Sequence, residues 1–154
     1  MNILARSRDA PVVLIADDDP GVRADLRAVL EQDAVRVIDA ADGARAIQLA
    51  HDERPDVVLM DLRMPGTDGV RATREIKAFL PLTQVVILTV YGDPALSQEA
   101  TAASAYAYLL KGCSPQLVMD VIRQAFRFKV GLEIRQQEAL EPGPTGPDGL
   151  APPA

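Results

Sequence analysis

In the stretch LIADDDPGVR, residues 14–23, three consecutive carboxylates, Asp17, Asp18 and Asp19, follow directly on a short apolar run. Like charges this close repel one another, so the arrangement costs stability unless a cation, a helix N-terminus or solvent relieves it. Asp19, directly before Pro20, has a sufficient structural role as a helix N-cap, which leaves Asp17 and Asp18 to be accounted for. Three further polar groups end apolar runs: Asp61 in LMDLRMPGTDG, Thr89 in QVVILT and Lys111 after AYAYLL. Hard oxygen ligands at this density suit Mg²⁺, which takes one or two carboxylates and fills its other positions with water and phosphate oxygens. The crowding of Asp17 and Asp18 is therefore read as the mark of a divalent cation, held directly or through water.

Such a cluster needs elements that bring distant residues to one point. Short β-branched runs at 12–16, 35–39, 56–60, 84–89 and 105–110 read as five strands. Between them lie segments of helical period over 20–32, 44–52, 68–80 and 94–104. The first helix carries Val22, Leu26, Val29 and Leu30 on one face. A fifth helix is expected to be capped by Ser114, to start at Pro115 and to bury Leu117, Val118, Val121, Ile122 and Ala125. Strands alternating with helices predict one α/β domain around a doubly wound parallel sheet. In such a sheet reactive groups collect at the carboxyl ends of the strands beside the topological switch point. Asp17, Asp18, Asp61, Thr89 and Lys111 all follow or end strands, so they are expected to converge.

The 154 residues, 48% of them hydrophobic, suit a single domain with a sizeable core. No long apolar span and no basic-then-apolar leader is visible, so a cytoplasmic protein without membrane contact is the expectation. The single cysteine, Cys113, excludes an internal disulfide and a cysteine-based zinc site. A net charge of −6 argues against a nonspecific grip on nucleic acid. From Glu138 onward EALEPGPTGPDGLAPPA is too rich in proline and glycine to bury a core, and a disordered tail is expected there. The segment 128–137 fits either a continued helix past Gly131 or a linker. His51 reads as a solvated residue at a helix end.

The motifs ADDDP, DLRMPGTDG, VVILTVYGD and YLLKG, in this order and at these separations, resemble the receiver domain of two-component response regulators. The run LTVYGDP followed by YLLKGCSP is most similar to the NarL/FixJ class, whose receivers usually precede a helix-turn-helix domain. The resemblance covers about residues 11–128, with 1–10 an N-terminal extension and 129–154 a helix extension or linker and tail. It implies a flavodoxin-like (βα)5 fold with strand order 2-1-3-4-5. By the same resemblance Asp61 is the phosphoacceptor, taking a phosphoryl group from a sensor histidine kinase. Asp17, Asp18, Asp61 and the backbone carbonyl of Arg63 would hold Mg²⁺, and Lys111 and Thr89 would bind the phosphoryl oxygens. Thr89 and Tyr108 correspond to the family's switch pair. They are expected to remodel the face of the fourth helix, fifth strand and fifth helix for a protein partner or a second copy, without direct DNA binding by this chain.

Three departures stand out. Val90 occupies a position where receivers usually place a small residue, and its bulk bears on access to Asp61. Ser104 and Ala107 stand where glycine is often found. Tyr106 adds a second aromatic two residues before Tyr108, and strand alternation would put both on one side. Two other functions fit the residues: a receiver-like module that binds or dimerises without phosphorylation, and a phosphatase of haloacid dehalogenase type built on the acid-x-acid pair within Asp17–Asp19.

Overall fold

The computed structural model describes residues 10–141 and 143. The N-terminal extension and the tail beyond Glu141 lie almost wholly outside the described residues. Five strands, β1 (Val12–Ala16), β2 (Arg36–Ala40), β3 (Val57–Met60), β4 (Gln84–Thr89) and β5 (Ala107–Leu110), form one parallel sheet in the order β2-β1-β3-β4-β5. Five helices join and follow them: α1 (Pro20–Glu31), α2 (Gly43–Glu53), α3 (Gly69–Phe79), α4 (Pro94–Ala102) and α5 (Pro115–Leu140). This is the doubly wound, flavodoxin-like architecture expected from the sequence.

Burial on both sheet faces explains why the strands read as near-continuous hydrophobic runs. Along β1, Leu14 and Ala16 point to one core, shared with Val58, Met60, Val85 and Ile87 and covered by Ala46, Ala72 and Ile76. Val13 and Ile15 point to the other, shared with Val57, Leu59, Val86 and Leu88 and covered by Leu30, Val118, Ile122 and Ala125. The helix starts are fixed locally. Asp19, Asp42, Asp68, Asp93 and Ser114 each accept a hydrogen bond from backbone N–H groups of the first helical turn, and proline opens three of the five helices. Asp19, at the end of the acid run, thus acts as the N-cap of α1, with Gly21 N donating at 2.8 Å.

Several expectations need correction. β5 starts at Ala107 rather than Ala105, because Ser104 turns the chain at φ 70°, a left-handed conformation that a serine adopts only at a cost. Tyr106 therefore precedes the strand and packs with the α1/α5 core, its ring 5.5 Å from that of Phe128, whereas Tyr108 packs with the opposite core. The two tyrosines do not share a side. Leu117 is 42% exposed, and Met119 takes its place in the buried stripe of α5. The segment 128–137 is helical, and so are Glu138, Ala139 and Leu140, which the sequence assigned to the tail. Helix ends at Glu141, whose ψ of 137° is the extended conformation imposed on a residue before proline.

The extension of α5 is tied to the base of the sheet. Lys129 Nζ lies 2.6 Å from Asp56 Oδ1 and 3.0 Å from Glu133 Oε1, and Asp56 Oδ2 accepts the N–H of Val12 at 2.8 Å. Among the described residues no helix is long and apolar enough to cross a membrane.

Candidate functional site

The carboxyl ends of β1, β3 and β5 deliver the acid cluster and the lysine to one point. Ladder bonds continue past the strand ends: Asp17 N donates to Ala40 O, Asp61 N to Ala16 O at 2.9 Å and Lys111 N to Thr89 O at 2.7 Å. Each backbone is thereby held in the sheet while its side chain projects from the rim. Carboxylate oxygens of Asp17, Asp18 and Asp61 all lie within 4.8 Å of one another. Lys111 Nζ sits 2.7 Å from Asp17 Oδ2 and 3.1 Å from Asp61 Oδ2.

The four groups differ in environment. Asp17 and Asp61 are buried, at 2% and 6% exposure, whereas Asp18 is exposed. Burial pushes the Asp17 carboxyl above the usual carboxylate range, and the charge of Asp61 adds to this. Hydrogen bonds from Lys111 and the Asp19 N–H work in the opposite direction without overcoming it. Burial also works against the Lys111 ammonium, but its hydrogen bonds to Asp17 and Asp61 outweigh that and hold its pKa above the usual lysine value. Asp61 Oδ1 is buried and has no hydrogen-bond partner. A buried carboxylate oxygen left bare is costly unless a cation or reacting group completes it. The donor set of three carboxylates with one bare oxygen therefore fits a hard divalent cation such as Mg²⁺.

The loop after β3 is pressed into place by two close backbone approaches. A Cβ on Gly69 would fall 2.1 Å from the carbonyl oxygen of Asp61, and one on Gly43 would fall 2.3 Å from that of Thr67. Gly69 N donates to Leu62 O at 2.7 Å, so the start of α3 rests directly on the backbone of Asp61 and Leu62. The glycine of the TDG run is required by this contact, whatever the chemistry.

Thr89 is fully buried at the end of β4, and its hydroxyl accepts the Tyr91 N–H at 3.5 Å rather than meeting a carboxylate. Tyr108 donates its hydroxyl to the carbonyl of Tyr91, and burial, with the charges of Asp93 and Asp61, raises its pKa. Val90 is 63% exposed, so most of its bulk is in solvent. His51 is exposed in the last turn of α2. The sequence did not single out Tyr91, whose ring lies 4.4 Å under the Arg63 guanidinium, or Arg23, which donates to the Asp17 carbonyl at 2.8 Å. Both contacts join residues by side chains long enough to reach several partners, and no local pattern marks them.

Residues 13–123 match the response regulator receiver domain family. The chain belongs to this family. It is similar to the transcriptional regulatory protein YxjL of Bacillus subtilis, 38% identical over 123 residues that make up 79% of this chain and 56% of that protein. Sporulation initiation phosphotransferase F of the same organism is 30% identical over 117 residues, covering 76% of this chain and 94% of that protein. The signal receiver domain of NarL from Mycobacterium tuberculosis superposes with a TM-score of 0.73 at 30% identity, over 77% of this chain and 97% of that one. The chain spans less than two thirds of the length of YxjL. Receiver membership displaces the haloacid dehalogenase reading of the acid-x-acid pair.

Proposed function

We propose that this receiver is a phosphoacceptor, in which Asp61 takes a phosphoryl group from a phosphohistidine of a sensor histidine kinase. The observation that carries the reading is the bare, buried Asp61 Oδ1 beside an Oδ2 already held by Lys111. One carboxylate oxygen is held by Lys111 and the other is left without a partner. In the transfer an Asp61 carboxylate oxygen forms a bond to phosphorus, the phosphorus–nitrogen bond breaks, and the departing imidazole nitrogen keeps the electron pair and gains a proton. Asp17, Asp18, Asp61 and the Arg63 carbonyl would hold Mg²⁺, which when bound neutralises charge on the phosphoryl oxygens. Lys111, already at the cluster, moves from bridging two carboxylates to pairing with the new phosphoryl oxygens. Thr89 supplies a hydroxyl donor from the end of β4, and Tyr108 follows through the Tyr91 loop.

The output of this switch is a protein surface formed by α4, β5 and α5, offered to a partner or a second copy. Leu117 and Phe128 on α5 are exposed apolar groups suited to such contact. The test is incubation with a small acyl-phosphate donor and Mg²⁺, followed by intact-mass and site analysis. One added phosphoryl group, lost in Asp61→Ala and retained at a lower rate in Lys111→Gln, supports the reading. A wild-type protein that stays unmodified would make the chain a binding or dimerisation module independent of phosphorylation.

A further inference from the structure

Tyr91 is engaged on three sides by three different parts of the molecule. Its ring lies under the Arg63 guanidinium, 4.4 Å from centroid to carbon, its carbonyl receives the Tyr108 hydroxyl, and its N–H meets the Thr89 hydroxyl. Arg63 stands two residues beyond Asp61, and among the described residues its guanidinium pairs with no carboxylate. Among the described residues the cation–π contact is thus the one directed interaction of that side chain. We infer that Tyr91 is a positioning residue that links cation binding at the acid cluster to Tyr108 by way of the Arg63 side chain.

This rests on the proposal that the Arg63 carbonyl is a cation ligand. A carbonyl drawn toward a cation shifts its own Cα, and a side chain anchored on Tyr91 carries that shift to the loop after β4. Tyr108 is fixed to the same loop by its hydroxyl, so its surroundings change before any phosphoryl group arrives. The route differs from one through Thr89, because it depends on the Tyr91 ring and not on a donor to phosphate.

Two substitutions isolate it. Arg63→Gln keeps the backbone carbonyl proposed as a cation ligand, and Tyr91→Leu keeps the backbone carbonyl that Tyr108 uses; both residues are exposed, so neither change empties the core. With fluorotyrosine in place of tyrosine, the protein has three signals, and Tyr108→Phe identifies the one to follow. Mg²⁺ alone, without phosphodonor, should shift that signal in the wild type. A cation–π contact at this exposure biases an equilibrium about two- to fivefold. By linkage, each variant's Mg²⁺ affinity should then change by no more than about that factor, while the Tyr108 shift falls by about half or more. The double variant should lose no more than the larger single loss, and Arg63→Lys should restore part of it. An unchanged Tyr108 shift in either variant overturns the inference. So does joint loss of Mg²⁺ binding and shift, which would make these side chains part of the cation site itself. If the wild type shows no Mg²⁺ binding at all, the proposed cation site fails first, and the linkage with it.

Discussion

Lys111 lies closer to Asp17, at 2.7 Å, than to the Asp61 that it is proposed to serve, at 3.1 Å. One ammonium from the end of β5 thus bridges carboxylates from the ends of β1 and β3. It cannot neutralise both of these and Asp18 as well, so the rim keeps a surplus of negative charge in a partly buried site. The arrangement is stable enough to fold, yet unsatisfied enough to favour a cation. Where Lys111 leans toward Asp17, Asp61 Oδ1 is left without a partner.

A divalent cation should therefore stabilise the fold. Binding at ten times its dissociation constant adds about 1.4 kcal/mol, or roughly 3–5 °C in the melting midpoint of a domain this size. Millimolar Mg²⁺ in a thermal melt should raise the wild-type midpoint and leave Asp18→Ala nearly unmoved. Asp17→Asn should melt higher than wild type without metal, since burial already disfavours that carboxylate, and should respond less to Mg²⁺. An equal Mg²⁺ shift in all three proteins would place the ion elsewhere.

Stability without metal should fall as pH rises, because each raised pKa works in the same direction. The raised pKa of Asp17 means that its contribution is full below the ordinary carboxylate value and is lost as pH rises through the raised one. The raised pKa values of Lys111 and Lys129 contribute stability below 10.5 that disappears as pH climbs through their folded values. The two lysines titrate far from the carboxylate range, so the diagnostic window is alkaline. Urea melts from pH 8 upward should show wild-type stability declining above about pH 10.5, the ordinary lysine range. In Lys111→Gln that decline should be shallower but still present, because Lys129 remains. An identical slope would mean that Lys111 gains nothing from its two carboxylates.

Gly69→Ala tests whether the rim geometry depends on the start of α3. The added methyl would meet the Asp61 carbonyl oxygen at 2.1 Å, and backbone must move to admit it. Overpacking of this kind costs about 1–3 kcal/mol. Because the displaced atom belongs to the proposed phosphoacceptor, phosphorylation from a small donor should slow by more than the stability loss alone explains. Wild-type phosphorylation rate in a folded Gly69→Ala protein would show that the site tolerates a shifted Asp61.

Legibility in the sequence followed the range of the interactions. The strands declared themselves because both sheet faces are buried, and the starts of α1 and α5 because Asp19 and Ser114 cap them locally; the caps at Asp42, Asp68 and Asp93 emerged only with the structure. The acid cluster was legible because strand ends in a parallel sheet share one rim. Tyr106 was misplaced because alternation holds only within a strand, and the turn at Ser104 delays β5 past it. The contacts of Arg63 with Tyr91 and of Asp56 with Lys129 carry no periodic signal. They depend on where long side chains lie once the fold exists.

The length of α5 is the clearest case of a tertiary contact deciding secondary structure. Gly131 costs a helix interior about 1 kcal/mol relative to alanine, and α5 nevertheless runs nine residues beyond it. Lys129, two residues earlier, is partly buried between Asp56 and Glu133 and fastens the helix to the starts of β1 and β3. Removing one member of a buried ion pair costs about 3–5 kcal/mol, and the lower end applies here because Lys129 and Glu133 retain some solvent contact. Lys129→Met should therefore destabilise the domain by about 3 kcal/mol in urea melts. It should also speed amide exchange over residues 129–140 before the sheet core is affected. The triple change Asp56→Asn, Lys129→Met and Glu133→Leu should recover most of that loss, because no buried charge is then left unpaired. Uniform destabilisation with unchanged exchange in the extension would show that α5 holds its length without the tie.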